Sequence, residues 1–95
     1  MIDLVQELKN KGMDIGSLNP LLKGDDSQVD ITFVKIADIS LKSIENFLKE
    51  MCLEKGFKMS SESSCSFVAE NGREIYSFVY SAIGENYRIT LTKLM

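Results

Sequence analysis

Histidine is absent from the chain, and cysteine occurs only at Cys52 and Cys65. Without histidine the commonest general base is missing, and with it the Ser-His-Asp and Cys-His arrangements that activate a nucleophile near neutral pH. The two cysteines lack metal-ligand spacing and suit reduced thiols, so the expected setting is cytoplasmic. No apolar run approaches the roughly 20 residues needed to span a membrane. The opening MIDLVQELKNKG has no basic start followed by an apolar stretch, so no secretory signal is expected. A basic excess is missing too. With 14 acidic and 11 basic residues the net charge is −3, which gives no stripe to displace counterions from nucleic acid and too little negative charge to imitate a polyanion. The stretch from Gly16 to Gly24 lacks the Gly-Lys-Ser/Thr ending of a phosphate-cradling loop. Asp25, Asp26 and Asp30 lack EF-hand spacing and its closing glutamate. Neither a metal nor an organic cofactor is therefore expected.

What is present is an ordinary globular composition, 44% hydrophobic and 26% charged over 95 residues, which fits one domain spanning 1–95. A core of this size leaves modest stability, and association with a second copy would add to it. The negative balance belongs to residues 1–56, while residues 57–95 are electrically even.

Periodicity divides the chain into an N-terminal helical segment and loop (1–28) and a βαββββ core (29–95). Over 2–11, Leu4, Val5 and Leu8 share a helical face, with Asp3 at the positive end and Lys9 and Lys11 at the negative end. Gly12 suits the left-handed cap, with Met13 folding back onto Leu8. Asn19-Pro20 suits the start of a short helical turn, and Gly24 to Ser27 a polar break. Residues 29–36 alternate, Val29, Ile31 and Phe33 against Asp30, Thr32 and Val34, as a strand does. Ser40 caps a helix over 41–55 whose apolar stripe is Leu41, Ile44, Phe47, Leu48 and Met51, with Glu45 and Lys49 paired opposite. Gly56 ends it, and Phe57 folds back toward Cys52.

From Phe57 to Leu94 the period becomes two, the pattern of a four-strand antiparallel meander. A two-residue Asn71-Gly72 turn would set Glu70 against Arg73, Phe67 against Tyr76, Cys65 against Phe78 and Val68 against Ile75. A Gly84-Glu85 turn would set Ala82 against Tyr87, Tyr80 against Ile89 and Phe78 against Leu91. A three-residue loop from Glu62 to Ser64 would pair Ser61 with Cys65 and Met59 with Phe67, which keeps every large apolar residue on one face. The expected fold is α+β and two-layered: a five-stranded sheet with the helices on its aromatic face. Strand 29–36 fits either beside 57–61 in parallel or beside 87–93 antiparallel, and the second is favoured because it keeps the sheet antiparallel after the crossover.

Chemistry-bearing residues are few. Cys65 has no lysine or arginine within five positions and reads as a small core residue, as does Cys52. The serines of SSESSC (60–65) read as turn residues. Two functions from different classes remain. The first is a non-enzymatic interaction or regulatory module of inhibitor, immunity or adaptor type. It would act by contact through a sheet face or edge, and its candidate face is Val68, Ile75, Ser77, Val79, Arg88 and Thr90, aliphatics ringed by hydroxyls. Its partner would be a protein, with a homodimer by face stacking or edge pairing as the sharper version. The second is a small-molecule-binding or enzymatic domain with Tyr76, Tyr80 and Tyr87 lining an aromatic cavity, Tyr80 and Tyr87 nearest solvent.

Overall fold

The computed structural model describes residues 2–10, 21–23, 27–35 and 39–95. Helix α1 (Leu4–Asn10) opens where the Asp3 carboxylate accepts a hydrogen bond from the Gln6 amide, 3.2 Å, which satisfies one of the orphan donors at a helix start. It buries Leu4 and Leu8 in the core, with Val5 packed at the margin. The Gly12–Met13 cap expected after it lies outside the described residues. Helix α2 (Leu41–Glu54) is capped by the Ser40 hydroxyl, which accepts from the Ser43 amide at 3.1 Å. Its buried stripe is Ile44, Phe47, Leu48, Met51 and Cys52, so Cys52 joins the expected pattern while Leu41 is only half-buried at its margin.

The end of α2 shows how local chemistry aims the chain. Gly56 takes φ +83°, the Phe57 amide donates to the Cys52 carbonyl at 2.9 Å, and the Gly56 amide donates to the Leu53 carbonyl at 3.1 Å. This is the Schellman arrangement. It reverses the chain and drives Phe57 into the core, where its ring meets Tyr76 edge-on at 5.6 Å. The Lys55 ammonium then reaches Glu7 at 2.9 Å and ties α1 to the same corner.

The expected α+β, two-layer fold is found. The sheet is antiparallel throughout and includes β2 (Gln28–Val34), β3 (Lys58–Ser63), β4 (Ser66–Glu70), β5 (Ile75–Ile83) and β6 (Asn86–Lys93). Strand β2 pairs with β6, Ile31 opposite Ile89 and Phe33 opposite Tyr87, as anticipated. A sixth strand extends this sheet. Residues Leu21–Lys23 form β1 and pair with β2, so they are extended and not helical, and the spatial order is β1-β2-β6-β5-β4-β3. The alternation of β2 leaves an open edge that a short extended segment can satisfy with backbone hydrogen bonds. Asn19-Pro20, Gly24, Asp25, Asp26 and Ile36 lie outside the described residues.

Two of the three meander turns differ from expectation, and both differences preserve the faces. Glu70 pairs with Ile75, Ala69 with Tyr76, Val68 with Ser77 and Phe67 with Phe78. The loop is therefore four residues long, not two. The Asn71 side-chain oxygen explains it: it accepts from the amides of Arg73 (2.9 Å) and Glu74 (2.8 Å), while the Asn71 amide donates to the Glu74 carbonyl. Asparagine here folds its side chain into the loop and lengthens it. At the serine stretch, Met59 pairs with Ala69 and Ser60 with Val68, and the register shifts between Ser60 and Ser63. Ser61 takes φ +50°, a bulge that absorbs the odd residue, and the turn moves to Ser64-Cys65. Cys65 thus sits half-buried in a turn and is not the first inward residue of β4, nor opposite Phe78. The third hairpin follows the expected Gly84-Glu85 register, with Ala82 opposite Tyr87 and Tyr80 opposite Ile89.

Inward side chains from four strands and both helices form one core, including Ile31, Phe33, Phe67, Tyr76, Phe78, Tyr80, Ile89 and Leu91, with Met59 of β3 packed against it. Each fully buried large side chain stabilises the fold by about 1.5–3 kcal/mol. Phe67 and Phe78 lie directly opposite, with stacked rings 4.9 Å apart. Because nothing lies within 4 Å of a Cβ added at Gly56, the left-handed backbone alone sets the cost there. Gly56→Ala should cost about 1–2 kcal/mol, read as a lower urea midpoint with an unchanged slope. An unaltered midpoint would show that this cap does not hold the helix end.

Candidate functional site

The six residues expected on a contact face do share one face, the side of the sheet turned away from the helices. Strand pairing places them. Val79 lies opposite Thr90 on the two central strands, and Val68 lies opposite Ser77 with Ile75 and Val79 on its diagonals. The two-residue slip of the β4–β5 register changed which residues are neighbours but not which side they occupy, since side chains repeat every two residues. Ile75 and Val68 are half-buried, while Val79 is 45% exposed.

The same parity adds two residues that the pattern-based selection missed. Val34 and Ile83 flank Asn86 in one cross-strand row, at 49% and 56% exposure. Both sit at strand ends, where Val34 had counted only as an alternation partner. Extending the alternation to the last residue of each strand would have found them.

A polar cluster interrupts these apolar side chains. Arg88 donates to both Asp30 oxygens, Nε to Oδ1 at 3.2 Å and Nη2 to Oδ2 at 2.6 Å, and the Thr90 hydroxyl also donates to Asp30 Oδ1. The hydrogen bonds to Asp30, and then its charge, hold the Arg88 pKa above its ordinary value. The pairing follows from register, because Asp30 stands opposite Thr90 and diagonal to Arg88. Asp30 is thereby engaged within the face instead of being offered to a metal. Asp25 and Asp26, its expected companions, lie outside the described residues. Among the described residues no group of three or more Cys, Asp or Glu side chains is placed to hold a metal ion.

The three tyrosines point the other way, into the core. Tyr76 and Tyr80 are each 1% exposed and Tyr87 6%, so Tyr80 and Tyr87 do not reach solvent as expected. Their inward parity and the helix layer above them seal them in. Tyr87 donates to the Ile39 carbonyl at 2.7 Å and carries the Lys35 ammonium 5.6 Å over its ring, which pins the entry to α2. Tyr76 donates to the Glu74 carboxylate at 2.6 Å. Burial first, then that hydrogen bond, pushes the Tyr76 phenol up to about 12. The Tyr80 hydroxyl finds no partner among the described residues, and burial, then the nearby Glu45 charge, raises its pKa. Phenols so held stay protonated and serve poorly as bases at neutral pH.

The thiols divide similarly. Cys52 is fully buried on α2, and desolvation pushes it up to about 12, far from the thiolate a nucleophile requires. Near the serine bulge, Lys49 bridges Glu45 at 2.9 Å and Glu62 at 2.5 Å, locking α2 to β3. The hydrogen bonds to Glu62 and Glu45 raise the Lys49 pKa. Two shallow surface depressions meet at Asn71: one of ≈ 320 Å³ lined by Gly56, Lys58 and Gly72, and one of ≈ 440 Å³ reaching Asp3, Lys55 and Tyr76. No described helix is long and apolar enough to cross a membrane.

Comparison with protein-family models finds no match, and comparison with curated proteins finds no significant relative. What the face does must therefore be argued from its own chemistry.

Two outcomes test this geometry. Tyr87→Phe should cost about 1 kcal/mol by stranding the Ile39 carbonyl, whereas Tyr80→Phe should cost less than half as much. Equal losses in urea unfolding would contradict the assigned partners. Glu45 and Glu74 are held below the ordinary carboxyl value, first by hydrogen bonds from Lys49 and Tyr76 respectively. Their stabilisation is complete above about pH 4.3 and is lost as pH falls through the lowered folded values. Melting temperature should therefore drop on that acid limb, and the Glu45→Gln, Glu74→Gln double variant should flatten it; an identical slope in both proteins would argue against these pairs.

Proposed function

We propose that this protein is a non-enzymatic interaction module that acts by contact through the outer face of its sheet. One observation carries the proposal. Three of the large apolar side chains left exposed, Val34, Val79 and Ile83, fall on this single face by strand parity, and the half-buried Val68 and Ile75 continue it beyond Val79. Scattered exposed aliphatics are ordinary, but five aliphatics gathered on one sheet face, interspersed with hydroxyls and a paired charge, have the make-up of a contact surface. The Asp30–Arg88–Thr90 cluster is compatible with being covered, because its charges already have their partners.

The face is favoured over the edges. Along β3 the exposed edge carries the Ser61 bulge and the charges of Lys58 and Glu62, features that discourage strand addition. An aromatic ligand cavity finds less support, since Tyr80 and Tyr87 spend their rings on the core. A regulator, inhibitor, immunity or adaptor role follows from contact as the mode of action, and the partner's chemistry is that of a weakly polar protein surface.

Affinity capture from the source cell, with the chain and its Val34→Glu, Ile83→Glu double variant as baits, tests the proposal. A partner retained by the native chain and reduced at least about tenfold with the variant is expected. Equal retention by both baits, or native mass spectra showing a bound metabolite with no protein partner, would refute it.

A further inference from the structure

We infer that the occupant of the outer face is a second copy of this chain, stacked face to face about a two-fold axis passing close to Val79. The inference rests on the contact role proposed above and adds the identity of the partner.

Three properties of the face make it complementary to itself. The first is charge. The whole chain carries −3, yet on β2 through β3 the charged outer residues cancel: Asp30 with Arg88 in a direct ion pair, and Lys58 with Glu70 at facing register positions. Two copies approaching by these five strands meet no net repulsion, whereas the chain as a whole carries the negative excess. The second is hydrogen bonding. The polar outer residues are mostly hydroxyls, Ser66, Ser77, Thr32, Thr90 and Thr92 among them. A hydroxyl both donates and accepts, so a face built of them can bond to its own copy, as a face of carboxylates could not. The third is extent. At a strand spacing of about 4.8 Å and a rise of about 3.3 Å per residue, five strands of this length offer roughly 550 Å² of flat face. Two stacked copies would cover roughly 1,100 Å², enough to clear the ~1,000 Å² expected of a specific interface.

Position fixes the axis. Strands β6 and β5 are third and fourth of six across the sheet, so the Val79–Thr90 pair marks its middle. An isologous contact sets residues at its axis against themselves, and Val79, 45% exposed there, would meet the Val79 of the second copy. The helices would then lie outermost on both copies, and the two sheets would stack about 10 Å apart.

Sedimentation equilibrium of the full chain from low to high micromolar concentration tests this. The native chain should dimerise. Val79→Glu and Val79→Lys should each weaken dimerisation at least about tenfold, because like charges would meet in a desolvated contact, with the circular dichroism spectrum unchanged. Mixing the two variants should restore the dimer, since glutamate then faces lysine. Val79→Cys should let a short bis-maleimide link two copies, the native chain serving as control for Cys52 and Cys65. A native chain monomeric throughout, a dimer indifferent to charge at position 79, or no recovery on mixing would each overturn the inference. A monomer whose captured heterologous partner is lost with Val34→Glu, Ile83→Glu would overturn the dimer and leave the contact role standing; a monomer with no such partner would end both.

Discussion

Everything in this structure hangs on the burial of one aromatic sheet face beneath α2. Phe67, Tyr76, Phe78, Tyr80 and Tyr87 all point to that side and are all buried, and Phe57 is delivered to it by the turn at Gly56. The dominant favourable term in folding scales with apolar area removed from water. A sheet that exposed this face would lose most of what holds it together, so parity along each strand is strongly fixed. The details of turns and registers are then free to vary by even steps.

That freedom is visible at the two turns that differ from the simplest pattern. At Asn71 the side chain closes a four-residue loop, and at Ser61 a left-handed residue inserts a bulge. Each adjustment returns the next residues to the same face. Pairs across the sheet change by two positions, Phe67 meeting Phe78 instead of Tyr76, while the core's membership is unchanged. The helix contributes its own fixings: Lys49 reaches Glu62 beside the bulge, and Tyr87 reaches the carbonyl that precedes Ser40.

The same constraint assigns the chemistry. Groups that could serve catalysis, the phenols and Cys52, sit on the buried side, where desolvation holds Tyr76, Tyr80 and Cys52 in their protonated forms. What remains accessible on the opposite side is shape, a few aliphatic side chains, a field of hydroxyls and a few charged groups such as the paired Arg88. Such a surface suits association better than bond-making, so the proposed contact role and the proposed self-association draw on a single arrangement.

Much of this was legible in the chain itself. The 3.6-residue stripe from Ile44 to Met51, the Gly56 cap, the alternation from Phe57 to Leu91 and the Gly84-Glu85 turn are local patterns, and each specifies its element without help from distant residues. They determined the fold class and most of the buried set and of the outer face, because alternation assigns sides irrespective of register. The tertiary structure decided what alternation cannot. It chose between registers two residues apart, which bury the same side chains and differ only in loop geometry and cross-strand partners. It added β1 to the edge of β2, where open backbone groups need partners that no side-chain pattern announces. It also paired Asp30 with Arg88, residues 58 positions apart in sequence and brought together only by the crossover that sets β2 beside β6.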